Sequence, residues 1–284
     1  MYDIILDTLM DGIRLLPFLF ITYIVMEYIE HKMSAGTRRV VQASGRFGPL
    51  IGSIAGIFPQ CGFSAAAASL YAGRVITRGT LIAMFLSTSD EMLPVFISQR
   101  VPVNIILSIL GMKVVIGMAA GFLIDLVFSL IEKKPEQEMD IHHMCEHDHC
   151  HCEEGIFQSA LVHTAQIFFF IILVSFILNL VIAGVGEESL TEIILNRPFI
   201  GSLLSGLVGL IPNCAASVVI TQLYLDGAMS LGAMMSGLLV GAGVGLIVLY
   251  KTNDSLKENL RITAILYVIG VVAGIAVDFL GITL

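Results

Sequence analysis

Two short stretches combine a helix breaker with groups that can hold an ion. Pro59–Gln60–Cys61 and Pro212–Asn213–Cys214 each place a ring without a backbone donor beside an amide and a thiol. Ser64 and Ser217 follow three residues after the cysteines, on the same helical face. Thiols favour soft ions, and amides and hydroxyls add neutral oxygen contacts. Taken singly, each stretch also fits a packed proline kink with an inert buried cysteine. A third stretch, Ser87-Thr88-Ser89-Asp90-Glu91, puts two carboxylates in the middle of an apolar run, 79–98, read here as one helix. Carboxylates at such depth are costly and mark ion or proton routes. Neighbouring helical residues point about 100° apart, so one of the two acids is expected to face the centre. Arg14 and Lys113 are the expected charge partners. The candidate transport site is therefore Gln60, Cys61, Ser64, Thr88, Asp90, Glu91, Asn213, Cys214 and Ser217, with Cys61, Asp90, Glu91 and Cys214 as the direct metal contacts.

A separate cluster lies between 142 and 152: His142, His143, Cys145, His147, His149, Cys150, His151 and Cys152. Imidazole and thiolate suit Zn, Cu, Ni and related ions. The spacing is too dense and irregular for one four-ligand structural site, so a metal-recruiting loop is expected. Eight of the chain's 23 acidic residues also fall in 132–154.

The elements that must position these groups follow from composition. The chain has 284 residues, of which 56% are hydrophobic and 13% charged. Soluble domains carry about 25% charged residues. Apolar runs at 12–30, 79–98, 104–131, 160–183, 229–250 and 262–282 are mostly long enough to cross a bilayer. A soluble enzyme or nucleic-acid binder is excluded by this pattern. No phosphate-cradling GxxxxGK[ST] motif and no HExxH motif is present.

The chain is a duplication. Gly48, Gly56, Pro59, Cys61, Ser64, Leu70, Tyr71 and Gly79 recur 153 positions later as Gly201, Gly209, Pro212, Cys214, Ser217, Leu223, Tyr224 and Gly232. Asp125 and Asp278 match at the same offset, near the ends of their repeats, where a fold-supporting or interfacial role is expected. Three units result: a first transmembrane repeat 1–131, a cytoplasmic His/Cys/acid-rich loop 132–154, and a second repeat 155–284.

Equivalent loops carry opposite charge. Segment 31–47 holds Lys32, Arg38, Arg39 and Arg46, whereas 184–200 holds Glu187, Glu188 and Glu192 with Arg197. Cytoplasmic loops collect Lys and Arg, so equivalent loops are expected on opposite faces. The count closes if 48–58 and 62–73 form a re-entrant pair, each too short to cross alone. The expected fold is an all-α polytopic membrane protein. It has two inverted repeats of about five helical segments each, with broken or re-entrant helices and the N-terminus outside. A continuous, kinked 48–72 helix with parallel repeats is the competing reading.

Residues 56–94, GIFPQCGFSAAAASLYAGRVITRGTLIAMFLSTSDEMLP, and 209–253, opening GLIPNCAASVVITQLYLDG, resemble the two signature regions of the ten-segment heavy-metal exporter family. Its members carry labels such as arsenic efflux protein or manganese transporter. The resemblance implies a permease of a bacterial or archaeal inner membrane, with a ligand-rich central loop.

The resulting expectation is a secondary exporter of a heavy-metal or metalloid ion, such as Mn, Zn or arsenite, working by alternating access. It needs no resident cofactor, only transient binding of its substrate. The lipid bilayer is the expected partner, nucleic acid is not, and proton coupling and a homo-oligomer are both compatible with these features. A membrane metal sensor or scaffold is the alternative. An intramembrane thiol enzyme is disfavoured, because only His163 could lie near either cysteine.

Overall fold

The computed structural model describes residues 45–58, 61–89, 92–131 and 198–282, with scattered helical positions in 13–24 and 157–176. No strand occurs among the described residues. The first repeat contributes α1 (Gly48–Ala55), α2 (Cys61–Ala72), α3 (Arg78–Ser87), α4 (Met92–Ser98) and α5 (Val103–Ile131). The second contributes α6 (Pro198–Gly209), α7 (Cys214–Leu225), α8 (Leu231–Val240), α9 (Val244–Thr252) and α10 (Leu256–Phe279). Both ends of α2 and α7, and both ends of α3 and α8, differ by the same 153 positions. The sequence repeat is thus a repeat of elements. The chain is an all-α polytopic membrane protein.

Two of the expected continuous helices are interrupted, which corrects the reading above. The run 79–98 stops at Ser87 and resumes at Met92. Pro94 explains the restart: it lacks a backbone donor and would clash with the carbonyl of residue 90, so it is tolerated only in a first turn. The run 229–250 likewise breaks between Val240 and Val244. There Gly243 takes φ +52°, a conformation that glycine adopts without steric cost.

Among the described residues, four helical stretches are long and apolar enough to cross a membrane: Arg78–Ser98, Val103–Ile131, Leu231–Thr252 and Leu256–Phe279. The two interrupted ones are 69% and 94% buried, whereas α5 and α10 are 22% and 33% buried. The broken helices therefore form the interior, and the two continuous helices present apolar faces outward. This division follows from solvation, since freed backbone groups survive at membrane depth only inside protein or beside a wet cavity.

Each broken helix is pinned at its start by the paired aspartates. Asp125 accepts from the Gly79 amide at 2.8 Å and from Thr77 Oγ1 at 2.7 Å. Asp278 accepts from the Gly232 amide and from Ser230 Oγ, both at 2.8 Å. Thr77 and Ser230 are themselves the N-caps, each accepting a helix amide at 3.1 Å. The aspartates therefore support the fold. A side chain at Gly232 would put its Cβ 2.2 Å from the Gly274 carbonyl oxygen, and Gly79 meets Gly121 in the same way. Gly79→Ala and Gly232→Ala are each expected to cost about 2–3 kcal/mol, because only backbone movement relieves the clash. Thermal unfolding of the purified variants measures this, and an unchanged midpoint would contradict the close approach.

The direction of the short helices follows from their neighbours. A Cβ at Gly48 would meet Thr80, one at Gly52 would meet Thr80 and Met84, and one at Gly56 would meet Met84 and Ser87. So α1 runs alongside α3 in the same direction. Helix α2 then returns to the start of α3, where Arg78 Nε donates to Tyr71 Oη at 3.2 Å. The α1–α2 pair thus begins and ends at one end of the bundle.

Candidate functional site

The inner end of α1 meets the first break of the long helices. The Ser89 amide donates to the Gly56 carbonyl at 3.2 Å, and Ser89 Oγ donates to the Ile57 carbonyl. In the second repeat a small cleft of about 10 Å³ forms at the equivalent place. Asn213 and Ser217 line it together with Gly209, Ile211, Gly241 and Gly243. That volume is close to what one water needs.

The two repeats are then joined across these breaks. Helix α2 packs against α9, and α7 packs against α4. Ser64 is fully buried, and a Cβ at Gly245 would lie 2.8 Å from Ser64 Cβ. Lys113 of α5 is 1% exposed, and its Nζ donates to the carbonyls of Thr88 and, at 2.8 Å, Leu238. One ammonium group therefore touches the interrupted helix of each repeat. Four interruptions meet in this region, from α1–α2, α3–α4, α6–α7 and α8–α9.

Helix ends give this region its electrostatics. Helices α2, α4, α7 and α9 begin there, with N-terminal ends that carry partial positive charge. Helices α1, α3, α6 and α8 end there, with carbonyls that attract cations. Cys61 and Cys214 are the first residues of α2 and α7. An arrangement of this kind can bind an ion through backbone and side-chain groups together, as discontinuous helices do in transporters.

The expected residues are distributed as follows. Ser64, Thr88, Asn213 and Ser217 lie at the breaks, with Thr88 and Ser64 buried. Thr88 Oγ1 donates to the Met84 carbonyl at 2.9 Å, so its hydroxyl serves the helix end. Gln60, Asp90, Glu91 and Arg14 lie outside the described residues, as do the side chains of Cys61 and Cys214. The loop residues His142, His143, Cys145, His147, His149, Cys150, His151 and Cys152 also lie outside them. Among the described residues no group of three or more His, Cys, Asp or Glu comes together.

A polar cluster at the end of the bundle was not anticipated. Glu258 of α10 takes both Arg74 Nη1 and Arg74 Nη2 at 3.1 Å, and Arg78 Nε at 3.1 Å. Tyr71 donates its hydroxyl to the same carboxylate. Burial works against the charge on Arg74, but the Glu258 carboxylate outweighs it and holds the guanidinium above its ordinary value. Arg74 takes φ +58°, where its counterpart in the second repeat is Gly227 at +72°. The signal available was Glu258 itself, an acid among the basic residues Lys251, Lys257 and Arg261. The cluster ties the 73–78 turn to the start of α10. The equivalent turn, at Ser230, meets Asp278 near the other end of the same helix. Twenty residues of helix separate the two contacts, about 30 Å at 1.5 Å per residue.

A family model described as "Putative, 10TM heavy-metal exporter" matches residues 1–188. The match spans the first repeat, the ligand-rich loop and the start of the second repeat. No curated protein and no solved structure matches the chain.

Proposed function

Since the chain belongs to the ten-segment heavy-metal exporter family, we propose that it is a secondary transporter exporting a metal or metalloid ion by alternating access. The observation that carries this reading is the meeting of four interrupted elements, two from each repeat, around one buried lysine. A packed structural bundle has no need to leave so many backbone groups without helical partners at membrane depth. In this reading Gln60, Cys61, Ser64, Thr88, Asp90, Glu91, Asn213, Cys214 and Ser217 form the route, and Cys61, Asp90, Glu91 and Cys214 contact the ion. The membrane is a bacterial or archaeal inner membrane. The test is flux of Mn, Zn, Co, Fe and arsenite through sealed vesicles containing the purified protein. Saturable movement of at least one is expected; impermeability to all of them would reject transport of this class.

Alternating access in this reading uses inverted repeats. The support is the charge difference between equivalent loops and the roughly 30 Å along α10 between Glu258, which holds the 73–78 turn, and Asp278, which holds the Ser230 turn. Cysteines introduced at Gln42 and Leu195 should be labelled from opposite faces of the membrane. Labelling of both from one face would contradict inversion.

The loop 132–154 recruits the ion in this reading without forming the route, because its ligands lie outside every apolar run. Deleting 138–153 should raise the concentration for half-maximal flux while leaving a substantial maximal rate. Loss of flux at saturating ion, in a correctly inserted deletion, would contradict that division.

A further inference from the structure

We propose that the carbonyls of Thr88 and Leu238 form a monovalent-cation site, which Lys113 fills with its own ammonium group so that no sodium ion is needed. Both carbonyls lose their i+4 helical donor at the breaks. Met92 N, which would serve Thr88 in a continuous helix, donates instead to the Ser89 carbonyl at 3.1 Å. Ala242 N, which would serve Leu238, turns to the Val240 carbonyl at 2.8 Å. Each freed oxygen lies at the C-terminal end of a helix, where the backbone dipoles leave partial negative charge. Freed carbonyls at such helix ends are what sodium or a proton carrier meets in transporters built from discontinuous helices.

The lysine supplies the cation on a tether. It is almost wholly buried, and its Nζ reaches one carbonyl from each repeat. At the equivalent position of the second repeat stands Leu266, 0% exposed, so a single lysine serves both halves. Helices α1 and α8 contain no titratable side chain, and α3 contains only Arg78, which is engaged with Glu258. Asp90 and Glu91 follow Thr88 in the chain. Because the two carbonyls belong to different repeats, the cation also cross-links the parts that must move relative to one another.

The part in transport rests on the transporter reading above, whereas the cation site itself does not. The test replaces Lys113 by Ala, which vacates the position, and by Met, which fills it with an apolar chain. Purified proteins are unfolded thermally in choline, sodium, ammonium and methylammonium chloride, and flux is followed in vesicles with the same salts. The wild type should show the same midpoint and the same flux in all four. K113A should unfold several degrees higher in ammonium, methylammonium or sodium than in choline, and K113M should not. Methylammonium should raise K113A flux about tenfold, the change that one recovered charged hydrogen bond would give. A K113A midpoint independent of the cation would overturn the proposal. So would a wild type that requires sodium, or failure to recover either variant folded in any of the salts. Cation-dependent unfolding of K113A beside a wild type that moves no ion would keep the site and reject the transporter reading.

Discussion

In vesicles matched for protein, D90N or E91Q should lose ion flux by about a hundredfold. Removing one charge from a desolvated cation contact costs about 3 kcal/mol, and each 1.4 kcal/mol is tenfold. The acids stand two and three residues after Thr88, whose carbonyl accepts from Lys113, so they enter the chain where the broken helix of the first repeat opens. Their counterparts in the second repeat are Gly243 and Val244, so the acid comes from one half only. The amide variants keep approximate shape, which separates loss of charge from loss of packing. If an acid serves only to neutralise Arg14 or Lys113, the single variant should fail to insert, and pairing it with R14Q or K113Q should restore it. Wild-type flux in both single variants would remove the acids from the route.

The second large effect is expected at Glu258. Its carboxylate is shared by Arg74, Arg78 and Tyr71 across the boundary between the repeats. The side chains of Arg74, Arg78 and Glu258 are 24%, 19% and 12% exposed, so two guanidinium groups would lose their counter-charge in a poorly hydrated place. E258Q is expected to cost about 2 kcal/mol, below the range for breaking a fully buried pair because some water reaches the cluster. R74G should be milder than R74A. Glycine accepts the positive φ of this turn freely, so it loses the ion pair without adding backbone strain. Thermal unfolding of E258Q, R74A and R74G measures both claims. An unchanged midpoint for E258Q, or equal losses for the two Arg74 variants, would contradict them.

Much of the fold was legible because the repeat is marked by residues with strong backbone consequences. Pro59 and Pro212, Cys61 and Cys214, and the glycines around them share one register, and the helices open at the two cysteines. Asp125 and Asp278 were legible as supports because each stands near the end of a long apolar run. The breaks that follow Ser87 and Val240 were hidden by apolar continuity. Pro94 was visible, but its meaning depended on knowing that a helix restarts two residues before it. Glu258 was missed for a different reason: its repeat counterpart is Ile105, so matching the halves cannot reveal it. Lys113 was expected beside acids. Its described partners include two backbone carbonyls, which exist as acceptors only once the helices have broken.

The central claim is that ions pass where the four interruptions meet, and the cysteines opening α2 and α7 test it most directly. The measurement is flux of the ion found to be carried by the wild type, through vesicles holding C61S/C214S at equal amount and equal unfolding temperature. Serine keeps the size of the side chain and removes the soft ligand. The account predicts that the double variant loses most of its flux, while its thermal unfolding matches the wild type. Wild-type flux from a double variant of normal stability would contradict it.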